Sequence, residues 1–107
     1  LFGEKGLLEV IKTPIEEDGN RHVFHQYVVR AERRDELQSF LEERNIVTRV
    51  YYPLPLHLQK CFASSGYKKG DFPVSEMLAE EVLALPIFPE LLPEEQERIV
   101  EEIAKFY

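Results

Sequence analysis

A chain of 107 residues is long enough for one compact domain and too short for two. Hydrophobic residues at 44% and charged residues at 31% exclude a disordered chain and a coiled coil, and no apolar run approaches the ~18 residues of a membrane span. Thirteen basic against twenty acidic residues give a net charge of −7, with four basic and ten acidic groups in residues 61 to 107, a balance that argues against a nucleic-acid or anionic-membrane partner. Cys61 is the only cysteine, which excludes an intrachain disulfide and a multi-cysteine metal site and fits a reducing, cytoplasmic home. The chain opens on Leu1 with no secretory or lipidation signal, and it reads as a piece of something longer.

Residues 7 to 13 are aliphatic and β-branched and stop at Pro14, as a strand does. Asp18-Gly19 lies in the polar segment that follows, so the pattern predicts an antiparallel hairpin into a second strand over residues 22 to 30. Apolar side chains on both faces of that second run (Phe24 and Val28; Val23, Tyr27 and Val29) predict a central strand. Leu37, Phe40 and Leu41 at i, i+3 and i+4 predict an amphipathic helix over 33–44, stopped at Asn45. Ile46 to Tyr52 returns to β-branched and aromatic types and predicts a third strand ending at Pro53.

From Pro53 to Pro73 no period is sustained, which predicts a long ordered loop with a helical turn around Gln59 to Ser64. Val74, Met77, Leu78 and Val82 predict a second helix over 73–83, opened by Pro73. Residues 85 to 89, bracketed by Pro86 and Pro89, can form at most an edge strand. A last helix opens at Pro93, with Ile99, Val100, Ile103 and Ala104 as its apolar stripe and its acids near the positive end of the helix dipole. The order predicts an α+β fold, an α/β layer in which about three helices pack on a small, largely antiparallel sheet.

Few residues carry chemistry. On a strand His22 and His25 point to opposite faces, so they do not share a metal; His25, beside Tyr27, reads as a histidine satisfied by backbone or as part of a pocket. The stretch from Arg49 to Lys60 is the most informative, because Tyr51, Tyr52, His57 and Gln59 set hydrogen-bonding groups beside apolar walls in a proline-stiffened loop. Two readings of it stand: a ligand pocket, or a rigid connector whose tyrosines pack on the sheet. No glycine-rich phosphate cradle and no nucleophile signature is present, and Cys61 reads as an unreactive thiol.

Four stretches taken together carry a resemblance: His22-Val-Phe-His-Gln-Tyr-Val-Val-Arg30; Glu42 to Pro53 running into Pro55-Leu-His-Leu-Gln59; Gly70-Asp-Phe-Pro-Val-Ser-Glu76; and Leu83-Ala-Leu-Pro-Ile-Phe-Pro-Glu-Leu91. In their order and spacing the chain resembles the C-terminal small domain of the DegT/StrS family of pyridoxal-phosphate-dependent sugar aminotransferases. The resemblance implies a single domain over residues 1–107 whose large, cofactor-binding domain lies outside it. It further implies a cytoplasmic homodimer that transfers an amino group, usually from glutamate, to a nucleotide-linked keto sugar. No lysine here lies in the family's cofactor motif, so no catalytic residue is assigned and the Schiff-base lysine is expected elsewhere. This chain alone is expected to be inactive and to bind no pyridoxal phosphate stably. The family histidine maps onto His57 and the tyrosine pair onto Tyr51 and Tyr52; with Gln59 and His25 these are the expected cofactor- and sugar-pocket residues, and no metal is expected. Two alternatives stay open: a sugar dehydratase of the same family, and a free-standing α+β module that senses a small metabolite.

Overall fold

The computed structural model describes residues 1–107. Three short strands form one antiparallel sheet in the order β1-β2-β3: β1 (Ile11–Lys12), β2 (Tyr27–Ala31) and β3 (Val82–Leu85). The helices are α1 (Arg34–Glu42), α2 (Pro73–Glu81) and α3 (Pro93–Phe106); a 3₁₀ turn at Leu7–Glu9 precedes β1, and two more, Leu56–Leu58 and Lys60–Ser65, lie between α1 and α2. The α+β class holds, with three α-helices on an antiparallel sheet.

The register assigns the two faces. Val29 pairs with Leu83 and Tyr27 with Leu85, and this face carries the core together with Ile11 and Ala31. Leu37 and Leu41 of α1 and Ile99, Val100 and Ile103 of α3 close over it. Leu37, Leu41, Leu83, Ile103, Ile11 and Val29 are the largest fully buried side chains. Phe40, placed by its spacing on the same stripe, is only half-buried: it meets Phe106 at 5.3 Å between ring centroids, and the Arg44 guanidinium lies 3.4 Å over its face. On the opposite face Arg30 donates to Glu81 at 2.8 Å, tying β2 to the end of α2.

Helix ends follow their local chemistry. Asn45 is in the left-handed region at φ 58, and the Ile46 N–H reaches back to the Leu41 carbonyl at 2.9 Å while that of Asn45 reaches Glu42 at 3.0 Å. This is a Schellman stop, sealed by buried Ile46. Proline opens α2 and α3, where its missing N–H costs nothing, and the Glu95 carboxylate accepts the Leu92 N–H at 2.9 Å at the start of α3.

The strands are shorter than the sequence pattern predicts, and one lies elsewhere. Residues 7 to 13 give a 3₁₀ turn and only two strand residues, and the run read as 22 to 30 joins the sheet only at Tyr27. The Asp18-Gly19 turn exists, with the Asn20 N–H on the Glu17 carbonyl at 3.0 Å, but it sits inside a longer connection between two antiparallel partners. Residues 46 to 52 are not a strand; Arg49 alone pairs, exchanging backbone bonds of 3.1 and 2.7 Å with Ala84. The missing strand is β3, which follows α2 without a turn and takes residues read as the end of a helix and as an edge. It is the end strand of the sheet, paired along one side with β2 and bridged on the other only by Arg49 at Ala84.

Arg34 explains why α2 stops where it does. Its buried guanidinium, 6% exposed, donates to the Ala79 carbonyl at 3.0 Å and the Val82 carbonyl at 2.7 Å. A cation fixed on the Ala79 carbonyl of the last turn and on the carbonyl of Val82, the residue that caps α2, satisfies acceptors that would otherwise be bare and complements the negative helix end. Val82 then takes an extended conformation, φ −72 and ψ 138, and the chain continues as a strand.

Candidate functional site

An open groove of about 660 Å³ lies between the segment 51–59 and α2. Tyr51, Tyr52, Leu54, Leu56 and Gln59 form one wall, and Phe72, Val74, Ser75 and Leu78 form the other, with Asp71 at the rim. Pro53 and Pro55 stiffen the first wall, as the sequence led us to expect of this loop. Tyr51 and Tyr52 meet edge-on at 5.8 Å and 70°, and both are exposed. The Gln59 amide donates to the Leu54 carbonyl at 3.4 Å, spanning the turn, and its oxygen faces the Cys61 thiol at 3.8 Å. The groove thus offers aromatic and aliphatic faces with phenol, amide, hydroxyl and carboxylate groups among them. No lysine, arginine or histidine lines it.

That lining bears on the cofactor that the resemblance implies. Its phosphate calls for cationic or backbone donors and its aldehyde for a lysine amine, and the groove presents neither a basic side chain nor a lysine. The residues present do not fit the group by themselves.

Tyr51, Tyr52 and Gln59 meet in the groove; the two histidines do not. His57 points behind the wall. Its side chain is 7% exposed, its Nε2 lies 2.8 Å from Glu76 Oε1, and its ring packs on Phe72 at 4.9 Å. His25 is exposed in the bend before β2 and is not among the residues that line the groove. Its neighbour His22 accepts the Phe24 N–H at Nδ1, 2.9 Å away.

Glu76 is the residue that sequence reasoning missed. Both its oxygens accept the Gly70 N–H, at 2.8 and 3.0 Å, and His57 adds a third contact to a side chain 13% exposed. The Gly70 N–H above all, with help from His57 and the Phe72 backbone, holds this carboxyl below the usual carboxylate range against the opposing effect of burial. Gly70 has φ 98, a conformation L side chains rarely adopt. The only local signals were a glycine six residues before an acid and the proline opening the helix.

A second groove, of about 500 Å³, is lined mostly by apolar residues, among them Phe24, Tyr27, Phe88, Leu91 and Ile99. Burial raises the Tyr27 phenol pKa there.

Known proteins resemble the chain along nearly its whole length. It is 58% identical over 104 residues to a "Pleiotropic regulatory protein" of Geobacillus stearothermophilus, covering 97% of this chain and 28% of that one. It is 41% identical over 96 residues to a dTDP-3-amino-3,6-dideoxy-alpha-D-galactopyranose transaminase of Aneurinibacillus thermoaerophilus, covering 90% of this chain and 26% of the relative. Among solved structures, DesV of S. venezuelae superposes with a TM-score of 0.90 at 34% identity, over 98% of this chain and 28% of that one. A DegT DnrJ EryC1 StrS aminotransferase from Brucella abortus gives 0.84 at 36% identity, again over 98% and 28%. The chain therefore spans little more than a quarter of the length of these relatives. The model of the DegT/DnrJ/EryC1/StrS aminotransferase family matches residues 2–104, and the chain belongs to that family.

Proposed function

We propose that this chain is the C-terminal small domain of a pyridoxal-phosphate-dependent aminotransferase that moves an amino group from glutamate to a keto sugar carried on a nucleotide. The observation that carries the reading is the likeness to DesV, a TM-score of 0.90 at 34% identity over 98% of the chain. The names of the relatives, dTDP-sugar and UDP-sugar aminotransferases, support the substrate class. In this reading the 51–59 segment walls the sugar side of the active site. Tyr51, Tyr52 and Gln59 present hydrogen-bonding groups to sugar hydroxyls, and Leu54, Leu56 and Phe72 cover the apolar face of the ring. Without a cation in the groove, contacts to the nucleotide diphosphate come from outside these residues, as do the Schiff-base lysine and the cofactor phosphate site. The cofactor, when bound, is the electron sink that lets nitrogen move between donor and acceptor. The intact enzyme works as a cytoplasmic homodimer.

The test is to express the complete coding sequence with pyridoxal phosphate and offer dTDP- and UDP-linked keto sugars with glutamate. We expect the aminated nucleotide sugar with 2-oxoglutarate as coproduct. Loss of water from the same sugar, with no nitrogen gained, identifies the dehydratase instead. The name carried by the Geobacillus relative favours a second reading, a metabolite-sensing regulatory module. That reading predicts saturable binding of a nucleotide sugar with no turnover of any amino donor.

A further inference from the structure

Three segments converge on one carboxylate behind the groove. His57, in the 3₁₀ turn of the first wall, sits 2.8 Å from Glu76 Oε1; Gly70, in the loop before α2, donates to both oxygens; and Glu76 itself stands in the first turn of α2. No lysine or arginine pairs with Glu76. Its charge is balanced by the Gly70 N–H and the imidazole, so losing either donor leaves a largely buried carboxylate under-satisfied. On its other side the imidazole packs on Phe72, whose ring is T-shaped against Tyr67 at 4.9 Å and 75°, and Phe72 faces the groove. At one end the two walls, residues 51–59 and 71–82, are joined through the Arg49–Ala84 backbone pair; the His57–Glu76 contact ties the first wall to the other end, at the start of α2.

We propose that His57 and Glu76 are a positioning pair: hydrogen-bonded to each other and anchored by Gly70, they lock the tyrosine wall to the start of α2 and set the width of the sugar groove without touching the sugar. The directions of the side chains support this assignment. Tyr51, Tyr52 and Gln59 face the groove, whereas His57 is turned away from it and spends its Nε2 on Glu76. The assignment rests on the reading of the groove as a sugar site. Its consequence is that His57 acts on substrate affinity through geometry, not on the reaction as an acid or base.

The experiment uses the full-length enzyme with His57→Ala, His57→Gln, Glu76→Ala, the double alanine variant and Gly70→Ala. A misplaced wall weakens sugar binding, so we expect KM for the keto-sugar nucleotide to rise roughly 10-fold in either alanine variant, with kcat and the glutamate half-reaction little changed. The double variant should be no worse than the poorer single, because both remove one shared contact. His57→Gln, whose amide N–H can still donate to the carboxylate, should recover to within about threefold of wild type. Gly70→Ala, strained at φ 98 with no clash for its Cβ, should reproduce the defect although it lies outside the groove lining.

Hydrogen exchange of the 66–72 segment, read by mass spectrometry on the same proteins, needs no substrate; it should quicken in His57→Ala and Glu76→Ala. If exchange quickens but the wild-type enzyme turns over no keto sugar, the pair stands as a lock and the functional reading fails. Unchanged exchange overturns the proposal, as does a collapse of kcat in His57→Ala alongside normal kinetics in Glu76→Ala, which would make His57 a group that meets the substrate. Multiplying defects in the double variant overturn it too.

Discussion

Replacing Arg34 should damage the fold more than any change in the groove. The guanidinium is 6% exposed and gives charged hydrogen bonds to Ala79 and Val82 carbonyls, at 3.0 and 2.7 Å. Its third bond, 2.6 Å to Asp35, involves a carboxylate 86% exposed, so that pair adds only ~0 to 1 kcal/mol. A hydrogen bond to a charged group contributes ~1.5 to 3 kcal/mol, so two lost bonds cost about 3 to 6 kcal/mol before compensation. Arg34→Met keeps most of the volume and removes the need to desolvate a cation, which recovers part of this. The net expectation is about 2 to 4 kcal/mol, a large share of the ~5 to 15 kcal/mol that holds a domain folded. Arg34→Lys brings one ammonium where two donors diverge, and it should recover about half the loss. Urea unfolding of the 107-residue chain followed by circular dichroism measures all three: the midpoint should fall while the slope stays constant. A methionine variant within ~0.5 kcal/mol of wild type, or a lysine variant weaker than methionine, would refute the claim that these two carbonyls terminate α2 through Arg34.

In the core, Leu41→Ala, at a side chain 0% exposed, should cost about 2 to 5 kcal/mol, and Phe40→Ala less, since Phe40 is half-buried; paired urea curves decide the order. Because the folded-state pKa of Glu76 is depressed, its contribution is present above the ordinary carboxylate value of 4.5 and is lost as pH falls through the lowered one; tyrosine fluorescence of the 51–72 region should show an acid transition that Glu76→Gln abolishes. Tyr107 runs the other way: desolvation pushes its phenol up to about 12 from 10.0, and its O–H donates to the Glu32 carbonyl, so its contribution is full below 10.0 and fades as pH rises towards 12, a loss absent in Tyr107→Phe. Added pyridoxal phosphate should leave no stoichiometric absorbance band on the 107-residue chain after dialysis, and a surviving band with turnover of glutamate would contradict the placement of the lysine outside it. The same chain exposes Tyr52, Leu56 and Val74 around one groove and Phe88 and Leu92 elsewhere, so it should bind hydrophobic dyes and self-associate in sedimentation runs, and a strictly monomeric, dye-silent species would argue against docking faces there.

Sequence patterns foretold the helices better than the strands, for a physical reason. An amphipathic stripe such as Leu37 and Leu41 in α1, or Ile99 and Ile103 in α3, repeats within one segment, and helix ends are equally local: Asn45 stops α1, and Pro73 and Pro93 open α2 and α3, each acting on its own neighbours. Whether a run becomes a strand depends on partners far along the chain. Ile46 to Tyr52 has the composition of a strand, yet only Arg49 finds a partner, and the following residues turn out to build the groove. Val82 to Leu85 continues the apolar pattern of α2 but is claimed by β2, by Arg49 and by a guanidinium 48 residues earlier.

The site divides along the same line. Tyr51, Tyr52 and Gln59 could be placed together from one proline-braced segment, since a stiff loop carries its side chains in a short arc. His57 lies in the same arc but serves another element, because its partner is 19 residues away across a loop whose shape depends on Gly70 at φ 98. Glu76 was legible only as an acid in the first turn of a helix, where the dipole is sufficient reason for it. An imidazole among apolar residues is therefore ambiguous until its hydrogen-bond partner is found, and here that partner occupies a position for which local chemistry already supplies a different explanation.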